Sequence, residues 1–427
     1  MSNDIPNGIN GNREQIYTVT GRTSSAKIER KLDPYPSYLH GLYGLLDLII
    51  ITASSFTVTL LPMHNAITSP EFWYEIIFSS SSFAFFFPAS CGIGANTALN
   101  PFKKRLWLVI IDLFIVYMVS FALGFSLIHL LWSVINGYFE PFPWRFALLT
   151  YPVNMIVLTR IWTLITKEKR RDPVFRQKCL MYILYICWIQ FISIQLWGMM
   201  LALAMVSPDI QWLIGMSVPL TKEINDYILD KLIIRASISE NLAAAQDMTK
   251  IVNNLTYSCW FAILATTATM ATNFLILGIY FSINMALCLK IIRLNKKIST
   301  NDGNLEKEKS LKEEAIKELI FNETIENMIP IAFIGSFATA YYGPNKYNLG
   351  MAGCSIWTFQ KVEDFFIYII PVVEMSLIDS TSLFVAGVSL WWFCKINVFK
   401  EYCNTIKTFW IHVGFWGGIY MSGVSTK

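Results

Sequence analysis

Long apolar blocks alternate with short polar segments along almost the whole chain. A membrane-crossing helix needs about 20 mainly apolar residues. Blocks of that kind fall at 41–61, 72–98, 106–135, 144–165, 180–206, 255–289, 328–343 and 361–394, with a ninth, shorter one at 405–422. The pattern predicts an all-α, polytopic helical membrane protein with about eight transmembrane helices, in the range of about seven to nine. Block 328–343 is short and reads as a thin or broken crossing. Block 255–289 would be about 52 Å long as one helix, so it must tilt, break or project beyond a bilayer.

The polar segments set the sidedness. Of the 34 Lys and Arg residues, 25 lie in the N-terminal tail and in segments 99–105, 166–179, 290–327 and 395–408. Loops 62–71 and 136–143 carry none. Short cytoplasmic loops carry the excess of basic residues, so a cytosolic N-terminus with a crossing at each block places all five basic segments on the cytosolic side. Segment 207–254 then falls outside, although it holds Lys222, Lys231, Arg235 and Lys250. Its short apolar start, Trp212 to Leu220, predicts a re-entrant turn ending at Pro219, followed by an amphipathic segment. Irregular backbone is tolerated at membrane depth where protein shields it.

The expected organisation follows from these boundaries. Residues 1–38 form a polar, disordered cytosolic tail without the apolar core of a signal peptide. Residues 39–206 form a first membrane group of about five crossings, and 207–254 hold the re-entrant and amphipathic stretch. Residues 255–289 make one long helix, 290–327 a charged cytosolic amphipathic helix, and 328–427 a second membrane group. Within 305–325, Leu305, Leu311, Ile316 and Leu319 fall near one face among Glu and Lys.

Composition narrows the classes further. Apolar types make up 54% of the 427 residues and charged types 15%, against about a quarter charged in soluble domains. That excludes a soluble enzyme, a disordered protein and a disulfide scaffold. A net charge of +4 is too mild for a nucleic-acid partner. The eight cysteines are scattered without a CxxC pair, and the four histidines are far apart in sequence, so no metal or cofactor is expected. No HExxH, GxSxG or P-loop lysine motif occurs, and no catalytic residue is assigned. The partners expected are the lipid bilayer and a small ion or polar solute, and self-association is compatible with the pattern.

Ionisable groups inside apolar blocks are the best pointers to function, because each is costly in hydrocarbon unless neutralised or paired. Asp47, Asp112, Glu363, Asp364, Glu374 and Asp379 stand out, with Arg160 as a cation. Four of them share block 361–394. Glu374 and Asp379 bracket its middle, and Pro371 stands one turn before Glu374, where it frees a backbone carbonyl and acts as a hinge. Asp112 and Arg160 lie near block ends and are expected to snorkel. Asp47, in the run HGLYGLLD, could pair with Arg160, while Gly41 and Gly44 serve close helix packing. In block 255–289, Thr266, Thr269, Asn273, Tyr280 and Asn284 share a stripe of about 60° on a continuous helix, which suits either a hydrated wall or inter-helix hydrogen bonding. Glu223, Asp226 and Asp230 repeat at i, i+3 and i+7, so something must oppose their repulsion.

Together these features favour a transporter or channel for an ion or small polar solute, with Glu363, Asp364, Glu374, Asp379, Asp47, Thr266, Thr269 and Asn273 along its route. The alternative is a chemosensory or signalling membrane receptor, and a membrane-embedded enzyme or scaffold is the third. Neither a G-protein-coupled receptor pattern nor the C-terminal Thr-Tyr…Gln-Phe pattern of insect-type chemoreceptors is found.

Overall fold

The computed structural model describes residues 42, 45–53, 70–102, 105–136, 143–300, 305–342 and 362–425, and every regular element among them is helical. They run as α1 (45–53), α2 (Pro70–Leu99), α3 (Leu106–Asn136), α4 (Pro143–Leu164), a single turn α5 (Lys167–Arg171), α6 (Pro173–Met205), α7 (Gln211–Ala236), α8 (Leu242–Thr267), α9 (Met270–Thr300), α10 (Leu305–Tyr342), α11 (Val362–Cys394) and α12 (Val398–Ser425). Helix α8 is central. It packs on α6, α7, α10, α11, α12 and α2, and residues 251–262 along it are all buried.

Local chemistry sets the helix ends. Asp172 accepts a hydrogen bond from the Val174 N–H at 2.9 Å, with Pro173 at the first helical position, and this starts α6. Asn397 caps α12 through the Lys400 N–H at 3.1 Å. The three-residue link from α11 to α12 turns at Lys395, whose φ is 56°, and the Ile396 N–H closes back on the Leu390 carbonyl at 3.2 Å. Glycines admit two close helix approaches. A Cβ at Gly215 of α7 would stand 2.6 Å from Thr272 of α9, and one at Gly417 of α12 would stand 2.6 Å from Ile51 of α1.

Polar and apolar faces are reversed relative to a soluble bundle. Leu108, Ile111, Ile115, Val119 and Leu123 form an exposed apolar stripe down α3. Asn253, Asn254, Asn284, Asn322, Glu323 and Asp379 are buried. Among the described residues, four stretches are long and apolar enough to cross a membrane: Leu106–Gly124, Pro173–Leu203, Met270–Thr300 and Ile369–Cys394. That is fewer than the eight expected. The difference lies partly in helices such as α7 and α10, which are of spanning length but carry charged residues among their apolar ones.

Three segment assignments change. Residues 255–289 are not one helix. The chain breaks at Ala268, whose ψ is 155°, and the preceding Thr266 and Thr267 are weak helix formers. Thr269 then caps α9, its Oγ1 accepting from the Thr272 N–H at 3.3 Å. The expected cytosolic helix 305–325 and the thin crossing 328–343 are a single helix, α10, of 38 residues. Segment 207–254 makes no re-entrant turn, because α7 runs unbroken through Pro219 and packs along α6, α8 and α9.

These changes remove the anomaly in sidedness. The Ile238 N–H bonds the Ala98 carbonyl at 3.0 Å, and Lys178 Nζ bonds the Ser237 carbonyl at 2.8 Å. Lys169 Nζ reaches the Asn100 carbonyl at 3.4 Å. The link between α7 and α8 therefore sits at the same end of the bundle as segments 99–105 and 166–179. Lys231, Arg235 and Lys250 flank that link, so they belong to the basic end, and of the four basic residues in 207–254 only Lys222 lies deep. At the same end Lys317 pairs with Asp247 at 2.9 Å, Lys250 with Glu314 at 3.6 Å, and Lys312 donates to Asn295 at 2.6 Å. An epitope inserted after Glu240 is accordingly predicted to label from the same side of the membrane as one inserted after Arg170. Labelling from opposite sides would overturn the placement of α7.

Candidate functional site

A polar seam runs between α7, α8, α9, α10 and α11. On α10, Glu323 and Glu326 stand three residues apart on one buried face. Asn284 of α9 bridges them, its Nδ2 donating to Glu323 Oε1 at 3.0 Å and to Glu326 Oε2 at 3.3 Å. Ser382 of α11 donates to Glu323 Oε1 at 2.7 Å. Asn254 of α8 donates to Asn322 Oδ1 at 2.7 Å, and Asn322 in turn to Asn284 Oδ1 at 3.4 Å. Each amide thus gives its hydrogens toward the carboxylates, a polarised chain that favours negative charge at its end.

A second set of bonds ties α7 to the seam. Asn225 donates to the Tyr257 hydroxyl at 2.7 Å and to Gln195 Oε1 at 3.1 Å, and accepts from Trp188 Nε1 at 3.1 Å. Asp226 accepts from Asn253 Nδ2 at 2.6 Å, and Asp230 accepts from Gln246 at 2.9 Å. Two of the three regularly spaced acids of α7 therefore take hydrogen bonds from amides of α8.

Between these two networks lies a cavity of about 20 Å³, room for roughly one water molecule. Lys222, Tyr257, Ser258, Tyr280, Glu326 and Asp379 supply its polar lining, and Phe261, Leu277 and Met375 its apolar lining. Asp379 is 5% exposed, and its Oδ2 has no hydrogen-bond partner. Lys222 is 7% exposed, and its Nζ stands 5.7 Å from the centre of the Tyr280 ring. Three helices give one depth for this cavity. Lys222, Tyr257 and Tyr280 each lie eleven residues along the helix from the end away from the basic segments, measured from Gln211, Ala268 and Thr269, which is about 16 Å. Toward the basic end the seam continues through Asn254, Asn284 and Asn322. Toward the other end the buried residues Leu264, Ile276 and Leu277 close it with apolar packing.

The residues singled out from sequence divide. Asp379 lines the cavity. Glu374, on the same helix, is half-buried and is not part of the cavity lining, because five residues turn it about 140° away. Pro371 lies inside a helix that continues through it. The side chains of Glu363, Asp364 and Thr266 lie outside the described residues. Thr269 and Asn273 are taken up by the α8–α9 turn. The Thr269 N–H donates to Gln211 Oε1 at 2.9 Å, its hydroxyl meets that of Thr272 at 2.9 Å, and Asn273 Nδ2 donates to the Ala265 carbonyl at 2.8 Å. These contacts stitch helix ends together, so the two residues do not share a wall with Tyr280 and Asn284.

Asp47 is fully buried against α12, where a Cβ at Gly414 would stand 2.9 Å from its Oδ1. It does not pair with Arg160. Arg160 instead holds Asp112 through two hydrogen bonds of 3.0 Å each, at a partly exposed position where such a pair contributes about 0–1 kcal/mol. Gly41 and Gly44 lie outside the described residues, and Gly414 and Gly417 make the close approach on the other side of that contact.

Sequence reasoning missed Glu323, Glu326 and Lys222. A signal was available for the first two. Leu319, Ile320, Phe321 and Ile325 lead from the charged run of 305–325 into block 328–343, with no helix-ending residue between them. Among the described residues, no group of three His, Cys, Asp or Glu side chains could hold a metal ion. No family model, curated protein or solved structure matches the chain.

The bridging amide makes a direct prediction. Removing Asn284 takes the donor from buried Glu326 Oε2 and leaves Glu323 Oε1 with Ser382 alone, which costs about 1–3 kcal/mol. Asn284→Ala is expected to lower unfolding stability in detergent by about that amount. Ser380→Ala, which removes an exposed hydroxyl bonded to Asn327, is expected to cost less than about 1 kcal/mol.

Proposed function

We propose that this chain is a multi-pass membrane transporter that carries a monovalent cation or a proton through the seam between α7 and α11. In this reading each long helix crosses the bilayer and the basic end faces the cytosol, as does the N-terminus. The first apolar block together with α2, α3, α4 and α6 to α12 would then make eleven crossings. That is two more than the nine apolar blocks, because α7 adds one and the break at Ala268 adds another. Two additions preserve parity, so the basic segments remain on one side. The apolar outer face and polar interior support a bilayer surround, since water-soluble monomers rarely expose contiguous apolar patches beyond a few hundred Å².

The observation that carries the reading is the cavity itself. Glu326 and Asp379 face one water-sized space, and one Asp379 oxygen there has no partner. Buried carboxylates in excess of buried cations attract a positive charge, and a partnerless oxygen offers it a ligand. The closed packing toward one end and the polar seam toward the other fit a carrier open to one side at a time more closely than a continuous pore.

Purified full-length protein in proteoliposomes provides the test. Imposed gradients of sodium, potassium, ammonium and protons should drive flux of at least one of them. Glu326→Gln and Asp379→Asn keep side-chain shape and should lower that flux at least tenfold per folded molecule. Flux of none of the four cations, or unchanged flux in both well-folded variants, would contradict the proposal.

A further inference from the structure

A site that takes cations should not contain one, yet Lys222 lines the same cavity as Glu326 and Asp379. An ammonium is strongly hydrated, and burying it is costly unless it is paired. Among the described residues, however, Lys222 makes no ion pair at 4.0 Å or closer. It rests over the Tyr280 ring, a favourable seat for a cation. It shares the cavity with Glu326 of α10, and Asp226 stands four residues on along its own helix, one turn away on the same face. Asp226 is held from behind by Asn253 at 2.6 Å. The flexible four-carbon stem of a lysine can serve either carboxylate.

We infer that Lys222 is a resident competitor for the transported cation: it offsets one negative charge of the Glu326–Asp379 cavity when that is empty and withdraws to Asp226 when an ammonium-sized monovalent cation enters. The inference rests on the cation-transport reading above. Lysine shows by its own placement what the cavity accommodates, a single positive charge between carboxylates and an aromatic face. The cavity of about 20 Å³, with the room that the Lys222 head group vacates, suits ammonium or a small protonated amine. Two carboxylates on the same walls oppose an anion. The exchange also keeps the cavity's charge constant, because one positive charge occupies it whether substrate is bound or not.

Binding of radiolabelled methylammonium to the purified full-length protein tests the exchange. Lys222→Met removes the competitor and should tighten binding about tenfold or more. Asp226→Asn removes the withdrawal seat while keeping an acceptor for Asn253, and should weaken binding severalfold, although Asp226 does not line the cavity. The double variant should bind like Lys222→Met, because no lysine is left to relocate. Should Lys222→Met fail to fold, Lys222→Arg must bind more weakly than the unaltered protein, since a larger, permanent cation stays in the cavity. Weaker binding in Lys222→Met, or additive effects in the double variant, would overturn the inference while Glu326-dependent flux still upheld the transport reading. Methylammonium binding that is absent or unchanged by Glu326→Gln would overturn the inference too, and loss of all cation flux besides would remove the transport reading with it.

Discussion

A carboxylate inside an apolar bundle must be surrounded by donors or by a compensating charge, because leaving it bare costs several kcal/mol. Glu323, Glu326 and Asp379 impose that demand together, and much of the helix arrangement answers it. Helix α9 lies beside α10 so that Asn284 can donate to both glutamates. Helix α11 brings Ser382 to Glu323, and α8 supplies Asn254 at the head of the amide chain. Gly215 lets α7 approach α9 closely, which sets Lys222 over Tyr280. The break at Ala268 allows α8 and α9 to contribute from separate directions instead of presenting one polar stripe.

The same constraint explains why the bundle looks inverted. Polar groups collected at the centre leave apolar residues for the outside, as on α3 and on the outer face of α7, where Trp212, Leu213, Met216, Leu220 and Ile224 are exposed. Helix α7 hides Gln211, Thr221, Lys222 and Asn225 on its inner face. Its average composition is consequently too polar to mark it as a crossing. Gln211 adds a further economy of position, donating to the Leu203 carbonyl and accepting from the Thr269 N–H, so one side chain secures three helices.

How far the fold was legible in the sequence depended on whether a signal was local. The helical class is a local property of composition and spacing, and the structure carries it, whereas only four stretches among the described residues are long and apolar enough to cross a membrane. Asp379 could be singled out because a carboxylate stands alone in an apolar block. Glu323 and Glu326 were overlooked, because the charged run before them resembles a solvated helix and outweighs the apolar residues that lead from it into the next block. Thr269 and Asn273 looked like a wall only on the assumption of a straight helix through Ala268. The pairing of Arg160 with Asp112, residues 48 apart on neighbouring helices, is a matter of register that spacing alone does not carry.

The central claim is that α10 is one helix carrying Glu323 and Glu326 into the bundle core. Hydrogen–deuterium exchange of the backbone amides from Glu323 to Ile329, in detergent-solubilised full-length protein, tests it most directly. A buried helix packed on α8, α9 and α11 exchanges only through large-scale opening, so these amides should be as protected as those of 251–262 in α8. Rapid exchange across 323–329 beside a protected α8 would place the two glutamates on a solvated arm and contradict the account.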